Sequence, residues 1–335
     1  MSTSRREFLA SSSLAPALAA AAPQKSANDR IQVGVIGCGA RSQELMAALK
    51  ANPGTEIVAC ADAYRGRVTR TIENWGSGVK GHAEYREILA RPDVDAVIIA
   101  SPDHWHHRMC LDAIAAGKDI YCEKPLTFRP SEGKEIAEAA AKAGRILQVG
   151  SQGVSGALQQ KAREIIQSGR IGQVTMVRAA YNRNTASGAW IYPIPPDANR
   201  QTVNWEQFVG PAPKRDFSLE RFFRWRCYED YSGGIATDLF VHLCTTIHYL
   251  MNAKAPSKGV ALGQLYRWKA SREVPDTING LLEYPEGFAV NLSSSFNNQS
   301  SAESSFQFLG TEGTLALDFT SMNLYPATGN EDNKW

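Results

Sequence analysis

The sequence lacks an excess of charge of either sign: 36 lysines and arginines stand against 34 acidic residues, a formal net charge of +2. A chain so balanced projects no strong field, which argues against nucleic acid or an anionic membrane as its partner. Its basic residues are scattered, and no aromatic–basic recognition module is present. Paired cysteine spacing is missing too. Cys38, Cys60, Cys110, Cys122, Cys227 and Cys244 form neither a zinc pattern nor a redox Cys-x-x-Cys. Most fall in apolar segments and read as small core residues.

What is present is a chain of 335 residues, 43% apolar, enough for two domains with their own cores. Ile31-Gln32-Val33-Gly34-Val35-Ile36 reads as a buried strand. Gly37-Cys38-Gly39-Ala40-Arg41-Ser42 follows, then a helical pattern through Leu45 and Leu49. Further strands are expected at 56–61, ending at Asp62, and at 94–100, 119–122 and 145–149, with helices at 105–116 and 130–143. Such alternation over 31–150 implies a parallel sheet covered on both faces. Gly37 permits the tight turn. Gly39 lets backbone N–H groups approach a pyrophosphate at the helix start, where Ala40 and Arg41 lie. The third glycine position holds Ser42. Asp62, about 20 residues on, suits the adenosine ribose hydroxyls and favours NAD. Arg65 and Arg67 could instead hold a 2′-phosphate, which leaves NADP open, or form a solvated helix start.

Asp103-His104-Trp105-His106-His107 looks like a metal cluster, but adjacent histidines on a helix point in different directions, so no metal site is expected. Asp103 is a plausible helix cap. Ser101, Pro102, His104, Trp105 and His106 are expected to line a nicotinamide crevice. Tyr121-Cys122-Glu123-Lys124-Pro125 closes a short apolar strand, and ligands of open parallel sheets bind at that edge. Glu123 and Lys124 should therefore face the nicotinamide, with Gln152 at the boundary where the pattern changes.

Residues 151–335 read as a second, substrate and oligomerisation domain: a helix at 157–168, a strand at 174–181, then a long irregular stretch at 182–230. A stretch of that length suits substrate walls or subunit contacts. Gly233-Gly234 precedes a helical run at 235–251. Antiparallel strands follow at 259–268, 277–284, 289–296, 305–309 and 314–318, with turns at Glu286-Gly287 and Glu312-Gly313. Asp238 and His242 share one helix face. They read either as a carboxylate that orients an imidazole and favours its charged form, or as an ordinary polar pair.

Together these pieces resemble the Gfo/Idh/MocA family, glucose-fructose oxidoreductase, inositol dehydrogenase and relatives, from about residue 31 to 317. The resemblance rests on Gly37-Cys38-Gly39, Ser101-Pro102-Asp103-His104-Trp105-His106, Cys122-Glu123-Lys124-Pro125 and Gly233-Gly234-Ile235-Ala236-Thr237-Asp238-Leu239-Phe240-Val241-His242. It implies an α/β Rossmann domain followed by an α+β domain with an open-faced, mostly antiparallel sheet, whose other face often forms a homo-oligomer interface. It further implies that Lys124, Asp238 and His242 converge at the nicotinamide. His242 would be the general base, Asp238 would hold the imidazole, and Lys124 would bond the reacting oxygen. Tyr181, Arg183 and Arg226 are candidates for recognising the hydroxyls of a sugar or polyol, or are structural. Relatives usually continue past Glu331-Asp332-Asn333-Lys334-Trp335, so a truncated second domain is expected.

Residues 1–30 are expected to be a signal and linker rather than fold. Ser4-Arg5-Arg6-Glu7-Phe8-Leu9 is a twin-arginine pattern, and the stretch from Ala17 to Ala22 offers small-residue cleavage sites. The apolar run between them is interrupted and too short to span a bilayer, so removal is expected and not anchoring. A disordered tail holding two arginines is the alternative. Export of a folded protein to the periplasm or beyond, by the twin-arginine machinery, suits an enzyme that acquires NAD in the cytoplasm and keeps it tightly bound. It also argues against disulfides. A retained nucleotide must be regenerated in each cycle. A sugar oxidoreductase with a second carbonyl substrate satisfies that, and so does an NAD-dependent glycosidase acting by transient oxidation and elimination. A non-catalytic sugar-binding or sensor protein is the third reading.

Overall fold

The computed structural model describes residues 30–299 and 305–327. The twin-arginine motif and the last residues of the chain lie outside them. The first sheet is six-stranded and wholly parallel. It comprises β1 (Ile31–Ile36), β2 (Thr55–Ala61), β3 (Lys80–His82), β4 (Ala96–Ile99), β5 (Asp119–Glu123) and β6 (Leu147–Gly150), in the order β3-β2-β1-β4-β5-β6. The order reverses between β1 and β4, and that switch point opens a crevice at the carboxyl ends of the strands.

Burial on both faces explains the continuous apolar runs of these strands. In β1, Val33 and Val35 enter a core on one face with Met46, Cys60 and Ile98, whereas Ile36 enters the opposite core with Ile99, Ile120 and Ile136. Five helices cover the two faces: α1 (Ala40–Lys50), α2 (Arg65–Trp75), α3 (Tyr85–Leu89), α4 (Asp103–Ala115) and α5 (Glu132–Ala143). β3 and α3 are three and five residues long, too short to leave a periodic signal in the sequence.

The second sheet has seven strands, ordered β13-β12-β11-β7-β10-β9-β8. They are β7 (Val174–Ala180), β8 (Lys258–Gln264), β9 (Thr277–Tyr284), β10 (Phe288–Ser295), β11 (Phe306–Gly310), β12 (Gly313–Leu317) and β13 (Met322–Pro326). All neighbours pair antiparallel except β7 and β10, which are parallel. Glu286-Gly287 and Glu312-Gly313 fall at the expected hairpins, and β13 was not anticipated. The inner face, with Val177, Val290, Leu292 and Phe308, packs on Ile165 of α6 (Ala157–Gln167) and Leu243 and Ile247 of α9 (Val241–Met251). The outer face presents Met176, Val260, Leu262 and Leu281 to solvent. The architecture is thus a Rossmann domain joined to an α+β domain with an open-faced, mostly antiparallel sheet.

Two segments differ from expectation. The helical run before α9 opens with a π-helical turn, Ala236–Phe240. The stretch at 182–230 holds two short helices, α7 (Trp205–Val209) and α8 (Leu219–Phe223), and a 3-10 turn, Trp225–Cys227. This stretch forms a strap back over the first domain. Tyr64 bridges to Val203, Arg65 N donates to Thr202 O at 2.9 Å, and Asn204 N donates to Ala63 O at 2.8 Å. Trp105 Nε1 donates to Phe208 O at 2.9 Å. An aromatic core of Tyr64, Phe208, Phe222, Phe223 and Tyr231 seals the strap down.

Candidate active site

A cleft of about 880 Å³ lies at the carboxyl ends of β1, β4 and β5, between the two sheets and under the strap. At one end is the glycine turn. Gly37 has φ +87°, and a Cβ there would sit 2.7 Å from Ala100 O, so both conformation and space require glycine. Above Gly39 the space is open: a Cβ would meet nothing within 4 Å. Among the described residues no side chain caps the start of α1, which leaves its N–H groups to an anion. Ser42 fits the third position because it is buried and its hydroxyl donates to Gly39 O at 2.8 Å. Asp62 holds this loop, accepting from Cys38 N and from Tyr64 N, each at 2.8 Å. Arg67 lies 3.7 Å from Asp62 and stacks on Phe222 and Phe223. Arg67 and Arg70 line the cleft here, whereas Arg65 does not.

At the other end two cations bond one carboxylate, and a third lines the cleft beside them. Lys124 Nζ donates to Asp238 Oδ1 at 3.0 Å and to Asp238 O at 2.8 Å. Arg226 Nε donates to the same Oδ1 at 3.1 Å. Burial opposes ionisation of Asp238, but Arg226 and Lys124 outweigh it and hold the carboxyl well below the usual carboxylate range. Arg183 completes the set, stacked on the Tyr181 ring at 5.3 Å. Tyr181 in turn sits edge-on to His242, with centroids 6.1 Å apart.

The expectation that Asp238 holds the imidazole is overturned, although its charge does pull the ring toward the protonated form. Among the described residues Asp238 bonds Lys124 and Arg226, and no hydrogen bond joins it to His242. Burial and the charge of Lys124 push His242 down to about 4, so the ring is neutral near pH 7. The carboxylate is already engaged by two cations, and its pull on the imidazole is outweighed.

Gly37, Gly39, Ala40, Arg41, Asp62, Ser101, Pro102, Trp105, Glu123, Lys124, Gln152, Tyr181, Arg183, Arg226, Asp238 and His242 all line the cleft. Two expected lining residues do not. His104 Nε2 meets Phe208 O at 2.9 Å, and the His106 ring nitrogens meet Pro125 O at 2.6 Å and Ser101 O at 3.0 Å. Both rings lie on the inward face of α4, where burial lowers their basicity, that of His104 to about 4. Nor is Asp103 the helix cap. Pro102 takes that position, and the buried Asp103 carboxyl accepts from Ser232 Oγ and Thr237 Oγ1, each at 3.1 Å. Burial pushes Asp103 up to about 7. Arg41 and Glu123 satisfy each other at 2.8 Å, tying α1 to the end of β5.

Sequence reasoning missed Gln207, Trp190 and Tyr192, which reach the cleft from the strap and carry no local motif. Two buried oxygens on the cleft wall, Ser101 Oγ and Gln207 Oε1, have no hydrogen-bond partner among the described residues. With the open glycine turn they make a polar cradle that suits a dinucleotide.

Comparison with known proteins gives a consistent picture. The profile described as the oxidoreductase family with an NAD-binding Rossmann fold, GFO/IDH/MocA, matches residues 31–151. The GFO/IDH/MocA C-terminal domain profile matches residues 202–316. A 1,5-anhydro-D-fructose reductase of Ensifer adhaerens is 27% identical over 285 residues, 84% of this chain and 74% of that protein. An inositol 2-dehydrogenase of Gluconacetobacter diazotrophicus is 39% identical over 160 residues, and the chain spans about half its length, 47%. Among solved structures, the WlbA dehydrogenase from Bordetella pertussis with NADH and UDP-GlcNAcA superposes with a TM-score of 0.71 at 20% identity, covering 90% of this chain and 84% of that one. Levoglucosan dehydrogenase with NADH and levoglucosan gives 0.68 at 21%, covering 91% and 78%. These structures speak for the fold. The named relatives are dehydrogenases and reductases, and they favour neither the glycosidase nor the sensor reading.

Proposed function

The chain belongs to the Gfo/Idh/MocA oxidoreductase family, and from that premise we propose that it moves a hydride between a sugar or polyol carbinol and a nicotinamide dinucleotide held in the cleft. The observation that carries this is the placement of Lys124 and His242 on one wall, beside an open glycine turn at the switch point of a parallel sheet. The N–H groups around Gly39 would hold the pyrophosphate, and Ser101 and Gln207 offer buried oxygens to the remainder. A bound nicotinamide supplies the hydride acceptor. His242, neutral at working pH, accepts the hydroxyl proton. Lys124 donates a hydrogen bond to the reacting oxygen and offsets its growing negative charge. Asp238 keeps the ammonium of Lys124 and the guanidinium of Arg226 in place.

NAD is the favoured nucleotide because Asp62 stands at the adenosine end. Arg67 and Arg70 at the same end keep NADP as the alternative. The strap supports tight retention, since a nucleotide seated there would lie beneath Phe222, Phe223 and the turn at 194–196. Retention fits export in the folded state, for which Arg5-Arg6 is the basis, because a kept nucleotide is restored by reducing a second carbonyl substrate. The apolar outer face of the second sheet fits a homo-oligomer.

The test is Lys124→Met. Sugar-dependent reduction of the retained nucleotide should fall by about 10²–10³-fold, a loss typical of one transition-state hydrogen-bond donor. Mass spectrometry should find the same nucleotide in wild type and variant. Normal turnover in the variant would remove Lys124 from the reaction.

A further inference from the structure

We propose that the natural substrate of this cleft is a sugar acid, whose carboxylate is bound by Arg183 while its carbinol lies at Lys124 and His242. This rests on the oxidoreductase reading above and goes further by fixing the charge of the substrate. Three side-chain cations, Lys124, Arg183 and Arg226, reach the substrate end of the cleft. Asp238 engages two of them through a single oxygen. Of the other nearby acids, Asp103 is turned to the hydroxyls of Ser232 and Thr237, and Glu123 pairs with Arg41. Among the described residues no ion pair includes Arg183. Among the described residues, positive charge therefore stands uncompensated beside the base.

Arg183 is also held in place. Its N–H donates to Ser295 O at 2.9 Å, its neighbour Asn182 accepts from Ser295 N at 2.9 Å, and its guanidinium lies on the Tyr181 ring. Tyr181 contacts His242 on one side and Phe319 on the other. A planar guanidinium fixed on an aromatic face matches a carboxylate with two parallel hydrogen bonds, whereas a neutral hydroxyl uses one donor and leaves the charge unmet. The charge of Arg183 also contributes to the lowered basicity of His242. An anion on Arg183 would relieve that effect, so acid binding and proton acceptance reinforce each other.

The experiment compares D-glucuronate and D-galacturonate with D-glucose and D-galactose, and adds D-glucose 6-phosphate as a different anion. Binding is read by tryptophan fluorescence, because Trp190 and Trp225 line the cleft and report without turnover. Hydride transfer is read separately at the reduced-nicotinamide band. Each acid should bind at least about tenfold more tightly than its neutral partner, the range of a charge-assisted pair. Arg183→Gln should bring that ratio to about one, and Arg183→Lys should retain part of it, with bound nucleotide confirming that both variants fold. Equal binding of acid and neutral sugars, failure of both acids to bind, a phosphate that outranks both acids, or a ratio unmoved in Arg183→Gln would each overturn the proposal. Acid-selective binding that is lost in Arg183→Gln, without any nucleotide reduction, would keep the carboxylate site at Arg183 and remove the oxidoreductase reading instead.

Discussion

Asp238 accepts hydrogen bonds from Lys124 and Arg226, while Asp103, in the same cleft, accepts from two hydroxyls. Burial acts on both, and only the first has cations in contact. Asp238 is consequently ionised throughout the ordinary pH range, and Asp103 titrates at about 7. An unfolded chain binds this proton only below about 4. Between about 4 and 7 the folded state holds the extra proton. The contribution of Asp103 to stability is therefore complete below about 4 and is lost as pH rises through 7. Asp103→Asn cannot ionise, so its melting temperature relative to wild type should rise between about pH 5 and pH 9. A difference that stays constant across that range would show that Asp103 does not titrate there. His242 has the opposite sign: its depressed basicity costs stability as pH falls below about 6.5. At this scale the sequence displayed Lys124, Asp238 and His242 but not their pairing. That pairing depends on Arg226, which arrives from the strap, and no spacing rule links it to Asp238.

The strap is the element that sequence periodicity could not resolve. Its helices are five residues each, below the length at which an amphipathic pattern repeats. Its stability comes from aromatic contacts with Tyr64 and a hydrogen bond from Trp105 across the domain boundary. By contrast β1, α1, β2 and β5 were legible because each is a buried run or a regular helix next to a glycine or proline stop. The hydroxyl of Tyr64 donates to Asp197 at 2.6 Å, fastening the strap beside the adenosine end. Tyr64→Phe removes that bond and keeps the ring. On the proposed retention of the nucleotide, its exchange against labelled NAD should quicken by about tenfold, in line with a hydrogen bond to a carboxylate. An unchanged exchange rate would mean that retention does not depend on this fastening.

For the whole molecule, the outer face of the second sheet is the main uncovered apolar surface described. Val260, Leu262 and Leu281 are 66%, 68% and 55% exposed. Val260 lies opposite Leu281 across β8 and β9, so the two form one patch. On the proposed homo-oligomer, Leu281→Arg should shift the mass in light scattering toward a single chain, with secondary structure intact, because the side chain points away from the core. A mass identical to wild type would retire this face as the interface. The sheet itself was legible as six of its seven strands and their hairpins. Its strand order was not, since a parallel neighbour far along the chain leaves no local trace.

That order also bears on how the polypeptide assembles as it is synthesised. β7 ends at Ala180, but its two neighbours begin only at Phe288 and Phe306. The parallel sheet is complete once Gly150 has emerged, and the strap follows before β7 has found either companion. A nascent chain thus finishes the nucleotide side while the sugar side still waits for its middle strand, and long-range closure of that strand comes last.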